Sequence, residues 1–216
     1  MLKSPYSLPR LLFISAGETL HAQLNGIKTA LDAGVQFLQI RWKEAEVAQL
    51  QELIERCLPL WQEYEAICSI NDHPELAKLP GVQGLHLGLT DMPIAQAREL
   101  IGEPKIIGGT ANSLADVQQR QAEACDYIGL GPMRFTHSKK NLSPILGLQG
   151  YAQIQAALAG QQVPPIYAIG GILLDDVLPL RSLGIHGVAV SGLILQQPSS
   201  VKQLNERLHE QLDYSK

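Results

Sequence analysis

Eight short apolar runs, most of them followed by a stretch of helical periodicity, divide this chain of 216 residues into units of roughly 25 residues. The runs are residues 11–15 (LLFIS), 37–41 (FLQIR), 67–71 (ICSIN), 84–87 (GLHL), 106–110 (IIGGT), 127–131 (YIGLG), 166–170 (IYAIG) and 187–191 (GVAVS). Helical faces lie between them. Leu20, Leu24, Ile27 and Leu31 share one side of a helix after the first run, and Leu50, Leu53, Ile54, Cys57 and Trp61 share one side of a second from about Val47. Pro59 is expected to bend or end that second helix. A short helical turn starts at Pro74, and residues 93–101 form a helix with proline in its first position. Ser113 and Asp116 resemble a capping box for a helix that runs to Ala124, and Val201, Leu204, Leu208 and Leu212 form the stripe of a last one. Nothing reads as a linker. Residues 1–216 are therefore expected to form a single domain of the α/β class, a (β/α)8 TIM barrel.

The composition allows this and excludes other classes. With 45% of residues hydrophobic the chain can bury a substantial core, and 18% charged is ordinary for a soluble protein. Seventeen basic and twenty-one acidic residues give a net charge of −4, so no electrostatic footprint for nucleic acid or an anionic membrane is present. Any anion has to be held by a local cluster. Cys57, Cys68 and Cys125 are an odd set without a CxxC pair, each in apolar surroundings, and read as buried thiols in a reducing compartment. The first fifteen residues lack the continuous apolar core of a signal peptide, and no stretch is long enough to cross a membrane, which together point to the cytoplasm. The sequence does not fix whether the protein is a homo-oligomer.

In a barrel of this type the active site lies at the C-terminal ends of the strands, and a phosphate site often forms after strands seven and eight. Those ends carry Arg41 and Lys43, Asn71 and Asp72, Asp91, Thr110, Gly170 with Gly171, and Ser191 with Gly192. In Gln39-Ile40-Arg41-Trp42-Lys43 a period of two sets the polar trio on one face and the apolar pair on the other. If Ile40 and Trp42 pack on the helices, Gln39, Arg41 and Lys43 face the barrel axis. Buried cations need an anion, either a carboxylate of the protein or the phosphate of a substrate. Asp72 and Asp91 end neighbouring strands and could share Mg²⁺, or each could cap the helix that follows it. The Gly170-Gly171 pair and Ser191-Gly192 would let backbone N–H groups approach a second anion. His86, inside a strand, reads as a satisfied core histidine, and no histidine spacing supports a zinc site.

Residues 129–148 (GLGPMRFTHSKKNLSPILGL) open on glycines where a ligand could approach the backbone. They continue into a polar loop with Thr136, Ser138, Lys139 and Lys140 between Pro132 and Pro144. Such a segment reads either as a binding loop over an anionic ligand or as a solvated surface loop.

The ordered set QIRWK, SIND, GLHLGLTD, GGTANS, YIGLGPMRFTHSKK, AIGGI and GVAVSG resembles the successive motifs of the thiamine phosphate synthase family, over residues 11–195. The resemblance implies a (β/α)8 barrel that joins 4-amino-2-methyl-5-hydroxymethylpyrimidine diphosphate to a thiazole phosphate and releases pyrophosphate. It implies that Gln39, Arg41, Lys43, Asn71, Thr110 and Lys139 contact the pyrimidine diphosphate, with Arg41, Lys43 and Lys139 stabilising the departing group. By the same resemblance Asp72 and Asp91 hold Mg²⁺, and Thr136, His137, Ser138, Gly171, Ser191 and Gly192 hold the thiazole phosphate. Thr110 stands where many members have serine, Asn112 where histidine is common, and Leu89-Thr90 where Gln-Glu is usual. A thiazole tautomerase and a non-catalytic barrel that binds a phosphorylated metabolite are the alternatives. Asp91, and Pro132 after the strand-six glycine, favour the synthase over the tautomerase.

Overall fold

The computed structural model describes residues 8–135 and 144–211. Its eight strands are β1 (Leu11–Ile14), β2 (Phe37–Ile40), β3 (Ile67–Asn71), β4 (Gly84–Leu87), β5 (Ile106–Ala111), β6 (Tyr127–Leu130), β7 (Ile166–Ile169) and β8 (Gly187–Val190). Each pairs in parallel with the next, and β8 pairs with β1, so the sheet closes into a barrel with no free edge. The outer layer contains α1 (Leu20–Asp32), α2 (Val47–Glu63), α3 (Ile94–Ile101), α4 (Leu114–Ala122), α5 (Gly147–Ala157), α6 (Val177–Ser182), α7 (Gly192–Gln196) and α8 (Ser200–His209). Only a 3₁₀ turn, Leu76–Lys78, joins β3 to β4. The expected α/β barrel is therefore the fold, with most strand ends displaced by one residue.

Strand alternation sorts the apolar residues into two cores. Leu38, Ile40, Ile70, Leu85, Ile107, Ile128, Ala168 and Val188 point outward and pack under the helices. Leu12, Phe37, Ile106, Tyr127, Tyr167 and Ala189 point inward, with Leu8 packed among them. The inner core is small and aromatic. Phe37, Tyr127 and Tyr167 meet edge to face, with ring centroids 5.6, 6.1 and 5.5 Å apart, an arrangement favoured by the ring quadrupoles. Gly108 makes this packing possible, because a Cβ there would lie 2.1 Å from Tyr127 Cζ.

Several expectations need correction. Pro59 does not end α2, which continues to Glu63. Its last turn is held by the fully buried Trp61, whose Nε1–H donates to the Gly81 carbonyl at 3.1 Å, so tertiary packing overrides the local penalty. Gly129 and Gly131 leave room for protein rather than ligand. A Cβ would meet His86 Cε1 at 3.3 Å in the first case and the Ile169 carbonyl oxygen in the second. Ser113 caps α4 by accepting the Asp116 N–H at 3.2 Å, but the Asp116 carboxylate reaches one residue further back, to the Asn112 N–H at 2.8 Å. That helix ends at Ala122, and Leu212 of the last stripe lies outside the described residues. The cysteines are free and buried as expected.

Candidate active site at the C-terminal ends of the strands

The inward face of β2 leads directly to the barrel mouth. Gln39 is 2% exposed and donates its Nε2–H to the Tyr127 hydroxyl at 3.3 Å. Two residues on, Arg41 is half-buried just beyond the strand, and Lys43 is exposed. Ile40 and Trp42 pack in the outer core, as the period of two requires. The main chain of Arg41 is tied down on both sides: its N–H donates to Ser15 Oγ at 2.9 Å, and its carbonyl accepts from Gln23 Nε2 at 3.2 Å. Burial holds the Arg41 guanidinium below its ordinary pKa, while the charge of Asp72 opposes that shift. Among the described residues neither Arg41 nor Lys43 makes an ion pair within 4 Å.

The two aspartates come together. Asp72 follows β3 and places its N–H on the His86 carbonyl at 2.9 Å, and Asp91 sits on the turn after β4. Burial raises the Asp72 pKa, and contact with Asp91 raises it further, against the lowering effect of Lys43 and Arg41. Neither aspartate caps the helix ahead. Pro93 is the N-cap of α3 and makes no side-chain cap bond, and Glu75 stands likewise before the 3₁₀ turn. Asp91 instead accepts the Gly88 N–H at 2.5 Å through Oδ2. Among the described residues no group of three or more His, Cys, Asp or Glu converges, so the Asp72–Asp91 pair has no third such residue beside it.

A buried hydrogen-bond chain forms the floor. Tyr127 OH lies 3.1 Å from His86 Nδ1, and His86 Nε2 lies 3.1 Å from Thr110 Oγ1. His86 is thus a satisfied interior histidine, and the chain links Gln39 to Thr110 across the barrel. Behind this floor Arg120 of α4, 3% exposed, donates to the carbonyls of Thr110 at 3.0 Å and Gly88 at 2.8 Å and pairs with Glu123 at 2.6 Å. It fastens the ends of β4 and β5, including the turn whose Gly88 N–H holds Asp91.

On the opposite side, Gly170 and Gly171 follow β7 at φ 92 and 68, values open to glycine at little cost. Ser191 precedes α7, and Gly192 is its first residue. Asn71 is the last residue of β3. Thr136, His137, Ser138 and Lys139 lie outside the described residues. Leu89 and Asn112 border a cleft of about 450 Å³ between the turns after β4 and β5 and helix α5, where Pro144, Leu146 and Ile154 complete the apolar wall.

The sequence profile described as thiamine monophosphate synthase matches residues 11–194, almost the whole barrel. The chain belongs to the thiamine monophosphate synthase family. It is 48% identical to a thiamine-phosphate synthase of Flavobacterium psychrophilum over 92% of this chain and 98% of that one. A thiamine-phosphate synthase of Bacteroides fragilis is 43% identical over 92% and 98%. Among solved structures, the thiamine phosphate pyrophosphorylase of Pyrococcus furiosus superposes with a TM-score of 0.76 at 28% identity, covering 92% and 93% of the two chains.

Within this member of the family, residues that sequence reasoning passed over support those it named. Gln23, Tyr127, Arg120, Arg134 and Asp176 make no pattern at the strand ends. Gln23 and Arg120 are polar positions on helix faces that are otherwise apolar, which is the one sequence signal they carry. Arg134 stands inside the loop segment, where the neighbouring hydroxyls and lysines drew attention instead.

Proposed function

We propose that this protein is a thiamine-phosphate synthase that joins the pyrimidine diphosphate to the thiazole phosphate and releases pyrophosphate. The observation that carries the reading is the Asp72–Asp91 carboxylate contact beside a half-buried arginine at the barrel mouth. Two touching carboxylates repel, and they present only hard oxygen donors. That chemistry fits Mg²⁺, which accepts few protein carboxylates and completes its shell with water and phosphate oxygens. When bound there by Asp72 and Asp91, Mg²⁺ would neutralise charge on the diphosphate.

The protein's own groups do the rest. Gln39, Asn71 and Thr110 orient the pyrimidine diphosphate, and the hydrogen bonds of His86 and Tyr127 keep Gln39 and Thr110 from rotating away. Arg41, Lys43 and Lys139 meet negative charge as the carbon–oxygen bond to the diphosphate breaks, which is electrostatic stabilisation of the leaving group. Gly171, Ser191 and Gly192, with Thr136, His137 and Ser138, hold the thiazole phosphate so that its ring nitrogen faces the electron-deficient carbon. The new carbon–nitrogen bond forms as the pyrimidine-stabilised cation is captured, so no protein nucleophile is required. The substrates are small molecules and the setting is the cytoplasm. No helix among the described residues is long and apolar enough to cross a membrane. The test is product formation: purified protein with both substrates and Mg²⁺ yields thiamine phosphate by mass spectrometry, and a stoichiometric complex without product would contradict the reading.

A further inference from the structure

The segment after β6 lies along the segment after β7 in an unusually directed way. Met133 N–H donates to the Ile169 carbonyl at 2.8 Å, and Arg134 N–H donates to the Gly170 carbonyl at 3.1 Å. The Arg134 side chain then donates through Nη1 to the Gly171 carbonyl. Three consecutive carbonyls of β7 and its loop therefore turn toward residues 133–134. In a trans peptide the N–H of the next residue points opposite to the carbonyl. The N–H groups of Gly170, Gly171 and Ile172 consequently face away from that segment, and none of them donates to another described residue. Three successive amides of one aspect form a concavity for an anion.

What fixes the third of these amides is a side-chain clamp. Asp176, before α6, grips Arg134 with both oxygens, Oδ2 to Nη1 at 2.5 Å and Oδ1 to Nη2 at 2.7 Å. Its Oδ2 also accepts the Leu173 N–H at 2.7 Å, so the carboxylate closes the loop onto itself. A bidentate guanidinium–carboxylate pair sets direction as well as distance. The fit is close: a Cβ on Gly171 would meet Arg134 Cγ at 2.5 Å.

We propose that Arg134 and Asp176 are positioning residues for the phosphomonoester substrate. By holding the Gly171 carbonyl, they aim the Ile172 amide at the phosphate, beside the Gly171 amide that the Arg134 main chain fixes through the Gly170 carbonyl. The inference rests on the proposed synthase reading for the identity of that substrate. It assigns to the pair no contact with the pyrimidine diphosphate, whose candidate residues lie on β2 and just after it, on β3 and β5, and beyond β6.

The test separates the two substrates kinetically. In Arg134→Met the KM for thiazole phosphate rises on the order of tenfold or more, the scale of lost supporting contacts, while the KM for the pyrimidine diphosphate and kcat stay near wild type. Asp176→Asn gives the same split, the double variant is little worse than either single one, and Arg134→Lys, which retains a cation and one donor set, recovers part of the loss. Should Arg134→Met fold poorly, the Asp176→Asn and Arg134→Lys proteins carry the same readout. An unchanged thiazole phosphate KM, or equal rises in both KM values, overturns the clamp. Calorimetric binding of thiazole phosphate distinguishes this failure from failure of the synthase reading. Wild-type protein that binds it without turnover, with binding weakened in Arg134→Met, retains the clamp and loses the synthase. Turnover in wild type with identical thiazole phosphate binding in the variant retains the synthase and loses the clamp.

Discussion

Asp72 stands at φ 66, a backbone region in which aspartate is tolerated better than most residues, and its half-buried side chain meets that of the exposed Asp91. The two carboxylates repel, and the charges of Arg41 and Lys43 offset that repulsion only in part. Asp91→Asn is therefore expected to lose at least about a hundredfold in activity while its thermal midpoint holds or rises, since a like charge is removed from beside Asp72. Wild-type turnover by the variant would remove Asp91 from the site. Arg120 presents the opposite case. Truncation in Arg120→Met leaves two carbonyls and Glu123 without their donor and should cost about 3 kcal/mol of stability, measured by chemical denaturation. The contrast explains what could be read in advance. That Gln39, Arg41, Asp72 and Asp91 gather toward the barrel mouth was legible because a two-residue period and the polarity of a barrel fix where strand ends point. Arg120 was not, because its partners are backbone carbonyls of two other strands, and no side-chain pattern in α4 encodes them.

Between the strands, the inner core depends on glycine at Gly108 to seat the Tyr127 ring and on Gly129 to seat His86. Gly108→Ala would place a methyl inside the Tyr127 ring and should destabilise the barrel by about 3 kcal/mol or force the ring to shift. A shift would break the Gln39–Tyr127–His86 hydrogen bonds as well, so activity should fall together with the denaturation midpoint. A variant with wild-type stability would show that the ring has room. The strands themselves were plain in the sequence because each is a compact apolar run. The reading of Gly129 was not, since a glycine in a strand signals a close approach without saying whether ligand or protein makes it. Helix α2 taught a similar point: Pro59 costs a local hydrogen bond, yet the buried Trp61 two residues later carries the last turn.

Taken whole, the barrel is open for chemistry at one end and sealed at the other by residues 8–10. Tyr167 OH donates to the Pro9 carbonyl at 2.6 Å, Arg10 Nη1 donates to the His186 carbonyl at 3.0 Å, and His186 Nε2 bonds the Leu8 carbonyl at 3.0 Å. Burial holds the His186 pKa below its ordinary 6.5, with the Leu8 bond opposing and the charge of Arg10 adding to the effect. The stability this neutral histidine contributes is full above pH about 6.5 and is lost as pH falls through its lowered value, because the unfolded chain then binds the proton first. Thermal midpoints measured downward from pH 7 should decline, and His186→Gln should flatten that slope; an unchanged slope would free His186 of the role. None of this seal was legible in the sequence, where residues 8–10 precede the first strand and His186 precedes the last.

Pyrophosphate release, followed with each substrate and Mg²⁺ omitted in turn, tests the central claim most directly. A two-carboxylate centre beside Arg41 that serves a diphosphate leaving group predicts release only when both substrates and the metal are present, and loss of release in Asp91→Asn. Release from the pyrimidine diphosphate alone at the full rate, or full activity without a divalent cation, would contradict it.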